Sequence, residues 1–238
     1  MLNPRLQACA AYVGRGSAVC DVGTDHAQLA VHLIETGISE RVIASDIGEG
    51  PLAAAQRTIE KHGLSSKIRT ILSDGLQNVP PEGLTDVVIA GMGGETMVHI
   101  LETCPFPLTE IRLILQPMTK ADVLRQWLYR NGFAIMQETC VRDDRFLYAV
   151  MRAEYTGIRQ EPDFALMRIG RMDLREPDCM AYAQRQYEML CKSRDGRISA
   201  GQDPAPFDTA AEEVKRRLEE KCDESTGSAG GSECHCTV

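Results

Sequence analysis

The run Val19-Cys20-Asp21-Val22-Gly23-Thr24-Asp25-His26-Ala27 constrains this chain more than any other stretch. A short apolar strand ends on a glycine turn and leads into a helix-forming segment. In an open α/β sheet that junction lies at the carboxyl edge, where backbone N–H groups face outward and ligands collect. Here the turn is acidic. Asp21 and Asp25 would repel a pyrophosphate, and the Gly-x-Gly-x-x-Gly spacing of a dinucleotide turn is missing, which argues against a nicotinamide dehydrogenase. The same carboxylates suit a cofactor that carries a sulfonium, an amino group and ribose hydroxyls. S-adenosyl-L-methionine has all three.

The strand-turn-helix unit recurs along the chain. Leu2, Leu6, Cys9, Ala10 and Val13 make one apolar face of an opening helix over 2–13. Strands are expected at 17–22, 41–45, 67–72, 85–90 and 111–115, with helices at 27–36, 52–62 and 120–131. Asp46 closes the second strand, at a distance from Asp21 that suits a carboxylate accepting both ribose hydroxyls; a plain strand-end turn is the alternative. Pro51 is placed at the start of the next helix, where its missing N–H does no harm. Asp74, within Ser73-Asp74-Gly75, either accepts from an adenine amino group or makes an ordinary Asp-Gly turn. The fourth strand runs into Gly91-Met92-Gly93-Gly94-Glu95, a loop whose three glycines let backbone approach a ligand closely. Strands at 133–138 and 145–153 read as a hairpin around Asp143-Asp144. Together these predict a doubly wound α/β sheet with an antiparallel edge. Its rim gathers Asp21, Asp46, Asp74 and Gly91, with Gly23, Thr24, Ile47, Gly75 and Ala90 beside them as cofactor contacts.

After Glu154 only helices are expected, at 180–192 and 207–222, joined by the Gly/Pro-containing stretch 195–206 as a helical hairpin. The expected organisation is a catalytic domain over 1–154, a helical extension over 155–222 and a Ser/Gly-rich disordered tail over 223–238. The net charge is −8; residues 1–152 hold 14 basic and 17 acidic side chains and the remainder 12 and 17. Neither part is basic, so an RNA partner would need a local patch rather than bulk charge. No signal peptide or membrane-length apolar run is present, which reads as a cytoplasmic protein without membrane contact. Nine scattered cysteines give neither a disulfide framework nor paired zinc spacing. Cys234-His235-Cys236 offers too few ligands for a firm site, and no metal is expected.

Several stretches carry a family resemblance. They are Asp21 to Ala27, Ser45-Asp46-Ile47 with Gly50-Pro51-Leu52, Asp74-Gly75-Leu76, Ile89 to Gly94 and Leu115-Gln116-Pro117, with Arg5-Leu6 before them and Leu124-Arg125 with Leu128 after. Over roughly residues 2–153 the chain resembles the bacterial tRNA (adenine-22-N1) methyltransferases, class I enzymes with a Rossmann-like sheet. Met118 stands where that pattern suggests a small polar residue. The resemblance implies methyl transfer from S-adenosyl-L-methionine to adenine N1 in tRNA. It also implies a coiled-coil-like helical pair behind the catalytic domain that helps hold the tRNA.

For that chemistry Asp25 is the first candidate to stabilise the cationic product ring, with capping of the helix at 27–36 as its alternative role. His26 would contact the target base or the methionine carboxylate, or serve as a partly buried hydrogen-bond donor. Gly91, Met92 and Gly93 would shape the floor where base and methyl group meet, or simply make a tight turn. The target base must leave its stack, which requires backbone contacts. Arg5, Lys120, Arg125, Arg130, Arg142 and Arg145 are candidates, each with an ordinary solvated charge as its alternative reading. Two other readings stay open at this point: a methyltransferase of the same fold for a small molecule, and a non-catalytic protein that holds both the cofactor and RNA. A monomer is the expected state.

Overall fold

The computed structural model describes residues 2–226. Cys234-His235-Cys236 and the rest of the tail from 227 lie outside the described residues. Strands β1 (Ser17–Val22), β2 (Ser39–Asp46), β3 (Ile68–Leu72), β4 (Asp86–Gly93), β5 (Arg112–Thr119), β6 (Phe133–Asp143) and β7 (Phe146–Tyr155) make one sheet. Its order is β3-β2-β1-β4-β5-β7-β6. The first five strands are parallel, and β7 inserts antiparallel between β5 and β6. Helices α1 (Pro4–Tyr12), α2 (Gln28–Glu35), α3 (Glu49–Lys61), α4 (Gly94–Glu102) and α5 (Ala121–Arg130) cover its faces.

Side chains two apart on each strand explain why both faces are covered. Cys20, Val22, Val87, Ile89, Leu113 and Leu115 pack on the α4–α5 side. Val19, Val88, Ile114 and Val150 pack on the other, against α1, α2 and α3. Each fully buried Leu or Ile contributes roughly 1.5–3 kcal/mol relative to exposure, so this two-sided layer is the main source of stability.

Two strands outrun their apolar cores. β4 continues through Gly91, Met92 and Gly93, expected as a loop, and β5 through Gln116 and Pro117 to Thr119. Each extends because the other does: Ala90 pairs with Gln116, Met92 with Pro117 and Gly93 with Thr119, with a register shift around Gly91. The bulge there puts Gly91 at φ +79°, a conformation that favours glycine. Pro51 falls two residues inside α3 rather than at its first position, still within the turn whose N–H groups lack helical acceptors.

The stretch between β7 and the helical hairpin holds a further helix beyond the two expected, α6 (Phe164–Ile169), capped by Asp163, which accepts from the Leu166 N–H at 2.6 Å. The hairpin helices α7 (Pro177–Ser199) and α8 (Ala205–Thr226) are longer than expected, and α8 passes the anticipated end at residue 222. Cys179, Tyr182, Ala183 and Leu190 are the buried residues of α7, so its last nine positions contribute no continuous coiled-coil seam. Among the described residues no helix is long and apolar enough to cross a membrane.

Candidate active site

Strand register brings the turns together. Val22 lies beside both Ser45 and Ile89, and Asp46 beside Leu72, so the residues that follow β1, β2 and β3 and the bulged end of β4 share one edge. Asp21, Asp46, Asp74 and Gly91 all reach it. The β1 turn is fastened to β2: the Gly23 and Thr24 N–H groups both donate to the Ser45 carbonyl, at 2.8 and 2.9 Å. Gly23 has φ +74°, and a Cβ on it would stand 2.1 Å from Cε of Met92. Only glycine meets both demands, and the contact joins the β1 turn to the bulge of β4.

Asp21 lies just beneath the rim. Burial pushes its carboxyl up to about 6, the Thr24 hydroxyl donating at 2.8 Å pulls it down, and the charge of Asp46 raises it further. Asp46 accepts from the Gly48 N–H through Oδ1 at 2.8 Å, which orders the turn into α3. Ile47 between them is 70% exposed, a bare apolar side chain beside a carboxylate. Asp74 is exposed in a genuine Asp-Gly turn, with Gly75 at φ +56° and in close contact with Ile100.

Asp25 does not cap α2. The N-cap position is Ala27, which makes no side-chain bond, and His26 and Ala27 both adopt left-handed backbone, φ +56° and +52°. Those two residues swing Asp25 outward to 84% side-chain exposure, with His26 Nε2 at 3.2 Å as its partner. The His26 side chain is itself 55% exposed.

Sequence pattern alone gives Gln116 no role, yet it is fully buried beneath this rim. Its Oε1 accepts from the Gly91 N–H at 3.0 Å and from Arg5 Nη1 at 3.3 Å, and its Nε2 donates to the Pro117 carbonyl at 3.1 Å. A buried amide next to proline at the end of an apolar strand was the available signal. Arg5 also donates to Asp143 at 2.6 Å and to Met118 Sδ at 3.2 Å, and lies over the Tyr148 ring at 5.3 Å. Met118, in place of a small polar residue, thus supplies a soft acceptor.

The remaining basic candidates divide sharply. Arg125, expected as an RNA contact, is wholly buried, paired with buried Glu138 at 2.7 Å and donating to the Met167 carbonyl at 2.7 Å, so it is unavailable to RNA. Arg130 is paired with Glu161 at 2.7 Å and Arg142 with Asp178 at 3.0 Å, both on the surface. Arg145 is exposed and stacks on Phe146 at 5.0 Å. Lys120 is exposed, at φ +56°, where the chain leaves β5 for α5. It opens onto a groove of 630 Å³ between the end of β5, the β6–β7 hairpin and α7.

Comparison with known proteins supports the same fold. A family model described as a methyltransferase domain matches residues 2–151. The tRNA (adenine(22)-N(1))-methyltransferase of Bacillus subtilis is 38% identical over 154 residues, 64% of this chain and 65% of that protein, so the match spans just under two thirds of its length. The crystal structure of the B. subtilis m1A22 tRNA methyltransferase superposes with TM-score 0.74 at 30% identity, covering 92% of this chain and 96% of that one. A Streptococcus pneumoniae protein solved in complex with S-adenosyl-L-methionine gives TM-score 0.78 at 32% identity, covering 90% and 99%. Matches of this extent, on a sheet of this order, make the chain a member of the methyltransferase-domain family, in the branch of the tRNA (adenine(22)-N(1))-methyltransferases.

Proposed function

We propose that this protein transfers the methyl group of S-adenosyl-L-methionine to N1 of adenine 22 in cytoplasmic tRNA. The observation that carries the reading is the single rim on which Asp21, Asp46, Asp74 and the Gly91 bulge meet, closed by the contact of Gly23 with Met92. Its residues suit the donor: a carboxylate for the ribose at Asp46, a bare apolar face at Ile47 for the adenine ring, an exposed carboxylate at Asp74 for its amino group. Gly23 and Gly91 leave space where a side chain would intrude, and the charge of Asp21 favours a cation.

When bound, the donor supplies an electrophilic methyl group on a sulfonium. Adenine N1 already carries a lone pair at neutral pH, so no residue has to remove a proton before attack. Alignment is therefore the larger share of the task, and a well-oriented pair can gain on the order of 7–11 kcal/mol from it. Met92 and Gly93 form the floor that sets the approach, and Gln116 holds Gly91 from beneath. The Asp25 carboxylate, turned outward beside His26, is placed to stabilise the positive charge that develops on the ring. Residues 1–154 hold donor and target base in this reading, and the helices beyond them meet the rest of the tRNA.

Incubation of unmodified tRNA with S-adenosyl-L-methionine, followed by nucleoside mass spectrometry and primer extension, tests the reading. The expected result is 1-methyladenosine with an extension stop at position 22. Turnover of a small molecule without RNA, or tRNA binding with no change in nucleoside mass, would overturn it.

A further inference from the structure

The groove of 630 Å³ beside the rim is separate from the turns that suit the donor, and its lining differs from theirs. One wall is the end of β5 with Met118 and Lys120, a second is the hairpin with Phe146 and Tyr148, and the third is α7 with Arg185 and Met189. Tyr182, Arg185, Gln186 and Met189 recur at helical spacing, so one face of α7 looks into it. Phe146, Met118 and Met189 are 40%, 36% and 45% exposed, which concentrates bare apolar surface in one place.

Charge completes the pattern. The acid lining this groove, Asp122, is engaged by Arg168 at 3.5 Å. Lys120 and Arg185 are exposed and have no carboxylate partner among the described residues, unlike Arg125, Arg130, Arg142 and Arg152 nearby. Lys120 is also held in place. Its left-handed backbone brings its carbonyl so close to α4 that a Cβ on Gly94 would stand 2.2 Å away. Tyr148 is pinned from one side by Arg5, leaving a rigid ring beside the groove.

Aromatic rings next to unpaired cations are the chemistry of unstacked nucleotides: the rings take a base face and the cations take the phosphates. We propose that this groove receives a nucleotide neighbouring the target adenine in the tRNA strand, with its base against Tyr148 and its phosphates between Lys120 and Arg185. The inference rests on the tRNA reading given above. A neighbour held here keeps the strand open while the target base sits on the rim at Met92 and Gly93, which pair with Pro117 and Thr119 of the groove wall. It also gives α7 a direct part in substrate recognition.

The test uses the full chain and unmodified tRNA, and it measures tRNA affinity as a function of salt, steady-state methylation and donor affinity. Lys120→Glu with Arg185→Glu should weaken tRNA binding about tenfold or more, and make the slope of log affinity against log salt shallower by roughly 1.5. Tyr148→Leu should lower kcat/KM for tRNA about tenfold, while Tyr148→Phe, which keeps the ring, stays within about twofold. Donor affinity should be unchanged in all three. Unaltered tRNA affinity and salt slope in the double variant overturn the groove assignment while leaving the methyltransferase reading intact. A Tyr148→Phe loss equal to that of Leu, or a dimer that disperses on Phe146→Ser, overturns it too. Absence of any methylation by the unaltered protein would instead refute the underlying activity.

Discussion

Two regions of this molecule use the same polar residue types in opposite ways. On the rim, Asp21, Asp25, Asp46 and Asp74 have few protein partners, and two of them look directly into solvent. At the seam where α5 and β6 meet α6 and α7, Arg125 and Glu138 are wholly enclosed. Arg125 satisfies carbonyls at the end of α6, Met167 and Arg168, and Glu138 accepts the Arg171 N–H at 2.9 Å. Gly170, at φ +62°, exists to let that carboxylate in: a Cβ there would collide with Glu138. Burial opposes the Arg125 charge, and Glu138 more than restores it. The difference teaches that a charge enclosed with its counter-charge is architecture, even with Nη2 of Arg125 left without a hydrogen-bond partner, whereas a charge facing solvent is available to a ligand.

The sharpest way to break the comparison is to open the seam. Arg125→Ala should cost about 3–5 kcal/mol in urea unfolding, because it strands Glu138 without its counter-charge. Arg125→Met combined with Glu138→Leu should recover most of the loss. A single-variant cost under about 1 kcal/mol would show that the seam is not closed.

Next comes Asp21, the rim residue most like the seam. Its folded value of about 6 lies above the ordinary carboxyl value, so the folded state binds the proton more tightly and the charge costs stability above pH 6. That cost is relieved as pH falls from about 6 to about 4, where the unfolded chain takes up its proton too. Relative to Asp21→Asn, the native protein should gain up to about 3 kcal/mol between pH 7 and 4, read from denaturant midpoints. A flat difference would mean that Asp21 is hydrated.

A smaller effect is expected at the joint between the two turns. Gly23→Ala should cost about 2 kcal/mol from its backbone and its encounter with Met92, with part of that returned by Met92→Ala, as thermal melts would record. Equal losses with and without Met92 would leave backbone strain as the whole cause. Least of all should Asp25→Ala disturb the fold: within about 0.5 kcal/mol, while 1-methyladenosine formation falls by about two orders of magnitude. Normal methylation by this variant would move the charge-stabilising role elsewhere.

Sequence reading and structure part company where partners matter more than pattern. Strand β1 matches its expected bounds, 17–22, because an apolar run bounded by glycines has one reading in this context. The rim followed from it, since parallel strands joined by helices must end their strands on one edge. Residues 91–93 read as a loop in sequence because glycine carries no strand signal, although their ladder to β5 persists. Residue type alone makes Arg125 a surface cation. Its place between Leu124 and Leu128, on a stripe completed by Tyr129, already marked a buried position. The capping role of Asp25 failed because two consecutive non-glycine residues in left-handed backbone are seldom anticipated.

The insertion of β7 between β5 and β6 has a consequence for how the protein is made. As the ribosome releases the chain, β5 emerges with its apolar Leu113, Ile114 and Leu115, but its neighbour on that side is encoded some forty residues further on. Until then a sticky border stays open to strands of other nascent molecules. Chains cut near residue 130 should clump more than the full chain, in which β7 covers this border.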